Sequence, residues 1–253
     1  MQAAELLQFV LAGLKNGSIY ALLALGFTIV YASTSVINFA QGEFYMLGGM
    51  FGVFFFSSLH WPLWLAAIAA VVVTAGLGAL FEVLAIRPRA DADPLTLVIV
   101  TVGGSVLLKS LARHVFGPDE LVLPLFSAGD SFKFAGAALE RQAVWIWVIT
   151  LAAVVALWAL YSRTAFGRAL RACAIDRDAA RLVGIDTRKM VTASFALAAA
   201  LGAAAGVAVT PITQTAFYVG ASVGLKGFAA AILGGLGNPI AAVIGGVTLG
   251  LIE

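Results

Sequence analysis

Long apolar runs separated by short polar stretches make up most of this chain. The clearest of them, residues 143–161, holds 19 residues without a charge. About 20 apolar residues in a helix cross the roughly 30 Å of hydrocarbon in a bilayer, and only helices or closed barrels satisfy their backbone groups in lipid. The pattern therefore predicts an all-α fold, a polytopic transmembrane helical bundle that forms one domain over residues 1–253.

The apolar runs predict about seven or eight membrane segments. They fall at about 6–31, 36–59, 62–86, 95–112, 143–161, 190–210 and 220–237, with an eighth beginning at Ile240. The first two contain polar residues, so either is a candidate for a broken or re-entrant helix. The last run reaches Glu253 after only 13 residues, which is too short to span a bilayer. We therefore expect one or more carboxyl-terminal helices to be missing from the chain.

Basic residues predict the orientation of the bundle, because cytoplasmic loops are enriched in Lys and Arg. Residues 163–189 hold seven of the 15 Lys and Arg residues, whereas residues 113–142 hold three basic and four acidic ones. The first stretch is therefore predicted to be cytoplasmic and the second external. Counting back along the segments places the amino terminus outside, unless one of the first two segments is re-entrant.

The composition agrees with a membrane protein and narrows its chemistry. The chain is 62% hydrophobic and 11% charged, compared with about 25% charged in soluble proteins. The net charge of +2 gives no indication of a nucleic-acid partner, so membrane lipid is the expected surrounding. A single cysteine, Cys173, rules out an internal disulfide. Without a phosphate-binding loop or a nucleophilic triad, we expect no enzyme, no metal and no cofactor.

The predicted cytoplasmic loop has the pattern of a helix over residues 169–183. Ala172, Ile175, Ala179 and Leu182 recur every three or four residues and share a face, and Gly184 follows where a left-handed helix end favours glycine. These small residues would let the helix lie close in the groove of a partner. The residues alone leave open an ordinary basic surface helix.

Several strings in this chain resemble one transporter family. Asp178, Ala179, Ala180 and Gly184 are similar to the coupling loop of ABC transporter permeases, with Asp in place of the usual Glu. More specifically, residues 26–31 with 36–43, residues 167–173 and residues 224–237 are similar to signatures of the branched-chain amino acid ABC permease family of the LivH type. The resemblance extends from near the start of the chain to its end.

The resemblance implies a permease subunit of an ATP-driven importer in the bacterial cytoplasmic (inner) membrane, carrying leucine, isoleucine or valine. Permeases for urea, amides or other amino acids are the alternative, and a secondary transporter or channel, with inverted repeats, is a further one. The implied partners are a second permease subunit in a heterodimer, two cytoplasmic ATPase subunits that bind the ATP, and a periplasmic or lipid-anchored amino-acid-binding protein. Residues 163–189 would form the ATPase-coupling loop, with contacts through Arg171, Asp178, Ala179, Ala180, Arg181 and Gly184.

Polar residues inside the apolar runs are candidates for the translocation pathway. A charge at bilayer depth costs about 2.5–3.5 kcal/mol, so such side chains usually face the interior of a bundle. Asn38, Phe39, Gln41 and Glu43 lie at the start of one run, although Glu43 could instead satisfy backbone amides at a helix amino terminus near the cytoplasmic interface. Lys226 has three possible roles: an anchor at the external interface, a partner of Glu43, or a contact for the carboxylate of a substrate.

Closely spaced small residues predict tight helix packing, because they let backbones approach in lipid. Whether the contacts form within this chain or with a second permease subunit is left open. The predicted packing residues are Gly48, Gly52, Gly202, Gly206, Gly234, Gly235 and Gly237. Lys109 and Arg113, at the outer end of one segment, are interpreted as anchors that reach the interface, and Glu82 is interpreted as structural.

Overall fold

The computed structural model describes residues 2–90, 92–127, 129, 132–134 and 137–253. Most of these residues are helical, and one short antiparallel hairpin is present. The helices are α1 (Gln2–Thr34), α2 (Gln41–Val53), α3 (Leu63–Phe81), α4 (Pro94–Phe116), α5 (Arg141–Arg163), α6 (Ala165–Ile175), α7 (Arg177–Leu182), α8 (Thr187–Thr213), α9 (Val219–Gly234) and α10 (Pro239–Ile252). The hairpin pairs β1 (Phe132–Phe134) with β2 (Ala137–Leu139).

Two helices, α2 and α3, end in turns that are not α-helical. A π-helical turn, Phe54–Ser58, extends α2, and a second one, Glu82–Ile86, extends α3 into the 3-10 turn Arg87–Arg89. Such turns often lie at functional positions in helices. The π-helical turn after α3 contains the buried Glu82, which contacts α8.

The predicted helical membrane bundle is confirmed. In the described part of the chain, five helices are long and apolar enough to span a membrane: α1, α3 with its extension, α4, α5 and α8. The pair α9 and α10 bends by 119° between its two halves, and α2 is the remaining apolar helix. All eight predicted segments are therefore helices, and the broken element lies at the end of the chain. The polar residues near Lys15 do not interrupt α1.

The first helix begins at the end of the bundle opposite the basic loop. The side-chain amide of Gln8 donates to the carbonyl of Ala138 at 3.0 Å, and Lys15 pairs with Glu140 at 3.1 Å. Both partners lie just before α5, which runs from there to Arg163 at the start of the basic loop. If that loop is cytoplasmic, the amino terminus lies outside, as the counting of segments predicted.

Glycines hold the centre of the bundle together through direct backbone contact. A Cβ added to Gly17 would lie 2.8 Å from the Cα of Val247 in α10, and one added to Gly206 would overlap the carbonyl oxygen of Tyr45. The predicted packing glycines behave in the same way: Gly48, Gly52, Gly202, Gly206 and Gly234 all have close neighbours. In lipid, this contact replaces the missing hydrophobic driving force between helices.

The prediction is wrong for two of the packing glycines. A Cβ at Gly235 or Gly237 would meet nothing within 4 Å, and both residues have positive φ angles, of 99° and 96°. Their role is to form the turn between α9 and α10, because glycine adopts left-handed backbone conformations without steric cost.

The backbone contact at Gly206 predicts that two glycine-to-alanine substitutions differ in their effect on the free energy of unfolding. Gly206→Ala should lower the free energy of unfolding by about 1–3 kcal/mol, because the new methyl group would press on the backbone of α2. Gly103→Ala, whose Cβ would meet open space, should leave stability unchanged or raise it by up to about 1 kcal/mol. Thermal unfolding of both variants in detergent measures the difference, and equal melting temperatures would contradict the packing.

Candidate functional site

The basic loop forms two helices joined at Asp176, so the prediction of one helix over residues 169–183 is wrong. Asp176 has extended backbone angles, φ −152° and ψ 113°, and its carboxylate accepts hydrogen bonds from the backbone amides of Asp178 and Ala179, both at 2.9 Å. Aspartate favours this helix-capping position over a helix interior. The bond therefore ends α6 and begins α7.

The break leaves an apolar tip on the loop. Ile175, Leu182 and Val183 are 87%, 90% and 76% exposed, whereas Leu170 and Ala180 are buried. Of the predicted coupling residues, Arg171, Asp178, Ala179, Arg181 and Gly184 are exposed, and Ala180 is buried beneath them. Exposed aliphatic side chains at the tip of a water-facing loop are typical of a surface that contacts another protein.

The carboxyl end of α7 confirms the predicted role of Gly184. This residue has φ of 84°, and its amide donates to the carbonyl of Arg181 while the amide of Ile185 donates to that of Ala180, both at 3.0 Å. These two bonds form a Schellman motif, which usually requires glycine at this position. No neighbour lies within 4 Å of an added Cβ, so the glycine serves the backbone conformation alone.

The loop is connected to the bundle through the start of α8. The Nε of Arg181 donates to the Thr187 hydroxyl at 3.0 Å, and the side chain of Asp186 caps α8 by accepting from the amide of Lys189 at 3.2 Å. This backbone bond, with the nearby Lys189 side chain, holds the pKa of the Asp186 carboxyl below its usual value. The cap is therefore charged at neutral pH, and its contribution is lost only as the pH falls through that lowered pKa.

One turn further, a buried polar network joins α8 to the extension of α3. The hydroxyl of Thr192 donates to Glu82 at 2.7 Å, and Arg87 pairs with the same carboxylate at 3.0 Å. Glu82 is almost fully buried, so its carboxylate oxygens need these hydrogen-bond partners. The structural interpretation of Glu82 from the sequence agrees with this arrangement, which ties two membrane helices together next to the loop.

Removing one hydroxyl tests the network. Thr192→Val keeps the shape of the side chain but takes a donor from buried Glu82, which should cost about 1–3 kcal/mol of unfolding free energy. Thr192→Ser keeps the hydroxyl and should stay near the wild-type value. The measurement is thermal unfolding in detergent; a valine variant as stable as the serine variant would show that Glu82 does not depend on Thr192.

A second group of polar residues lies inside the bundle, where α2 begins. Residues 35–40 are not helical, and the side chain of Asn38 accepts from the amide of Ala40 at 3.1 Å. Gln41 then starts α2 fully buried, with its amide group donating to the carbonyl of Ala198 at 2.8 Å. A Cβ at Gly26 would overlap this amide group. The sequence strings 26–31 and 36–43 are therefore in contact.

Glu43 lies in the interior of the bundle and does not cap the backbone of α2. Its side chain is 1% exposed, and its Oε1 accepts from the hydroxyl of Ser105 in α4 at 2.9 Å. Its Oε2 has no hydrogen-bond partner among the described residues. Glu43 therefore does not accept hydrogen bonds from backbone amides at the start of α2, which was the alternative interpretation.

The structure does not bring Lys226 to Glu43. Lys226 forms an ion pair with Glu253, and its Nζ lies 3.2 Å from the hydroxyl of Tyr20 in α1. Of the three possible roles of Lys226, pairing with Glu43 is thus excluded. Phe39 packs against the ring of Phe228 at 5.5 Å, so it belongs to the hydrophobic contact between the start of α2 and α9.

Reasoning from the sequence missed a row of polar residues on α4. Thr101, Ser105, Lys109 and Arg113 are spaced by four residues, and this spacing was visible in the sequence as one helix face. Lys109 and Arg113 lie over the ring of Phe217, at 5.9 and 5.2 Å from its centre. Their interpretation as anchors reaching the membrane interface is therefore incomplete, because both contact the loop between α8 and α9.

A cavity of about 790 Å³ lies between α1, α5, α6 and the start of α10. Its lining is mostly apolar and includes Thr28, Trp158, Arg171 and Ser194. Of the predicted coupling and pathway residues, only Arg171 is in this lining, so the buried group around Glu43 does not open into the cavity. The described residues contain no cluster of His, Cys, Asp and Glu able to hold a metal ion.

Several membrane-spanning helices and an exposed apolar loop tip are the features of a multi-pass membrane protein with a surface suited to a partner protein. The model of the family described as branched-chain amino acid transport system / permease component matches residues 9–253, and the chain belongs to that family. This membership confirms the resemblance found in the sequence. It identifies a multi-pass membrane transport subunit and not an enzyme.

Individual relatives are similar over nearly the whole chain. The high-affinity branched-chain amino acid transport system permease protein LivH of Escherichia coli is 36% identical, over 98% of this chain and 84% of the relative. The corresponding protein BraD of Pseudomonas aeruginosa is 34% identical, over 98% and 85%. A ribose import permease protein, RbsC of Haemophilus influenzae, is 25% identical, over 95% and 74%.

Proposed function

We propose that this chain is the permease subunit of an ATP-driven ABC importer in a bacterial cytoplasmic membrane, and that it carries leucine, isoleucine or valine inward. Family membership and the names of two similar relatives support the substrate. The similarity to a ribose permease shows that related chains carry other solutes. Urea, amides and other amino acids therefore remain as alternative substrates.

The exposed apolar tip of the loop is the structural observation that carries this proposal. Burying an aliphatic side chain such as Leu182 against a partner stabilises a complex by about 1.5–3 kcal/mol. Arg171 and Asp178 lie beside the tip and are exposed, so they can meet charges at the rim of an apolar groove. A cytoplasmic ATPase subunit with such a groove is the partner that fits, and it would bind the ATP.

The contacts of the loop give a route for movement from the ATPase into the membrane. A displacement of α7 reaches α8 through Arg181 and Thr187, and α8 carries it to α3 through Thr192 and Glu82. In this proposal two ATPase subunits act on two permease subunits, this chain and a different second one. A periplasmic or lipid-anchored binding protein delivers the amino acid from outside.

A single substitution at the tip tests the docking. Leu182→Asp should reduce co-purification of the ATPase subunits by about tenfold or more, because it replaces a buried contact by a desolvated charge. The folding of the permease should not change, since Leu182 is 90% exposed. Leu182→Met is the matched control and should retain the ATPase. Full co-purification with the aspartate variant would place the docking surface elsewhere.

Reconstitution tests the transport function. The chain is assembled in proteoliposomes with its second permease subunit, ATPase subunits and binding protein, and ATP hydrolysis is followed as solutes are added. Leucine, isoleucine or valine should raise the rate severalfold, and ribose should not. Stimulation by ribose, urea or an amide alone would overturn the substrate. Transport by the chain without ATPase subunits would instead favour a channel or secondary transporter.

A further inference from the structure

The polar row on α4 begins in the interior of the bundle at Thr101 and ends at its surface, where Arg113 is exposed. Thr101 is fully buried, and its hydroxyl accepts from the amide of Phe39 at 3.2 Å. Ser105 donates to Glu43 one turn further along, and Lys109 and Arg113 follow at the next two turns. Each step of four residues advances about 6 Å along the helix. The row therefore leads from the outer end of α4 to the buried carboxyl group.

The second carboxylate oxygen of Glu43, Oε2, is buried and has no hydrogen-bond partner among the described residues. Buried polar atoms are almost always hydrogen-bonded, and leaving one unpaired costs free energy. Oε2 faces Gly220 of α9, where an added Cβ would lie 2.5 Å from this oxygen. Only the absence of a side chain at Gly220 lets the backbone of α9 lie against this oxygen, so no side chain of α9 reaches it at this point. A ligand with a positively charged donor would satisfy this oxygen.

The ring of Phe217 lies beside Lys109 and Arg113 at the outer end of the row. Phe217 lies in the short loop between α8 and α9, which is bound to the external segment by paired backbone hydrogen bonds between Leu121 and Thr215, at 2.8 and 2.9 Å. The hydroxyl of Tyr218 also donates to Glu120 at 2.6 Å. These bonds hold the Phe217 ring over the two cationic side chains of α4.

We propose that Glu43 and the α4 row form a recognition track for the charged head group of a zwitterionic amino acid. The ammonium group would bind Oε2 of Glu43, the carboxylate would face Lys109 and Arg113, and Phe217 would cover the outer end. Ser105 is a positioning residue that holds the other carboxylate oxygen. This assignment rests on the proposed import of amino acids, and it explains how a neutral sugar would be rejected.

Cysteine accessibility tests the track in the assembled transporter. In a Cys173→Ala background, Ser105→Cys is exposed from outside to anionic sulfonatoethyl methanethiosulfonate during ATP turnover. The reagent should label this thiol, and leucine supplied with its binding protein should slow the labelling severalfold. The matched control is Gly103→Cys on the same helix, where the side chain would meet open space; it should stay unlabelled. Equal labelling at both positions, or no effect of leucine, would overturn the track.

The charge of Lys109 is tested by a second measurement, which would give an unchanged result if Lys109 had only a structural role. Lys109→Met should slow labelling by the anionic reagent about tenfold relative to cationic trimethylammonioethyl methanethiosulfonate, because a cation in a narrow site concentrates anions. An unchanged ratio would overturn the role of Lys109. ATP hydrolysis by the wild-type transporter is measured first. If no branched-chain amino acid stimulates it, the proposed function itself fails. If stimulation is normal but the thiol of Ser105→Cys does not react, only the track is rejected.

Discussion

Direct contact between helix backbones is the constraint on which the rest of this structure depends. Lipid provides no hydrophobic force between apolar helices, so they associate where small residues let their backbones touch. Gly17 and Gly206 place α1 against α10 and α8 against α2, and Gly42 lies against Gly220 and Gly224 of α9. This packing encloses the first turn of α2 and leaves the polar groups of that turn no access to lipid or water.

Two sets of polar residues follow from this packing, at two depths of the molecule. One set extends from the tip of the α6–α7 pair through Arg181 and Thr192 to Glu82, and connects the exposed apolar tip to two membrane helices. The other set surrounds Glu43 in the interior and continues along α4 toward its carboxyl end. The family is described as a permease component of a transport system, and the proposed function assigns the first set to a partner protein and the second to the solute.

The parts of the structure that depend on local sequence could be predicted, and the parts that depend on distant contacts could not. Apolar runs predicted every membrane helix, and Gly184 was recognised as a helix end because its neighbours along the chain determine that role. The break at Asp176 was missed because a capping side chain competes with a continuous helical pattern. Ser105 lies 62 residues from Glu43, and Tyr20 lies 206 residues from Lys226; periodicity carries no information on such pairs.

The position of the α6–α7 pair relative to the membrane is the most direct test of the whole account. Cys173 is a poor reporter, because its side chain is buried, and burial raises the pKa of its thiol and lowers its reactivity. Asp178, whose side chain is 90% exposed, is therefore replaced by cysteine in a Cys173→Ala background and treated with a membrane-impermeant maleimide. We expect labelling in inverted membrane vesicles, protection by bound ATPase subunits, and no labelling in intact cells. Labelling from outside intact cells would contradict the cytoplasmic position of the loop and the coupling to an ATPase.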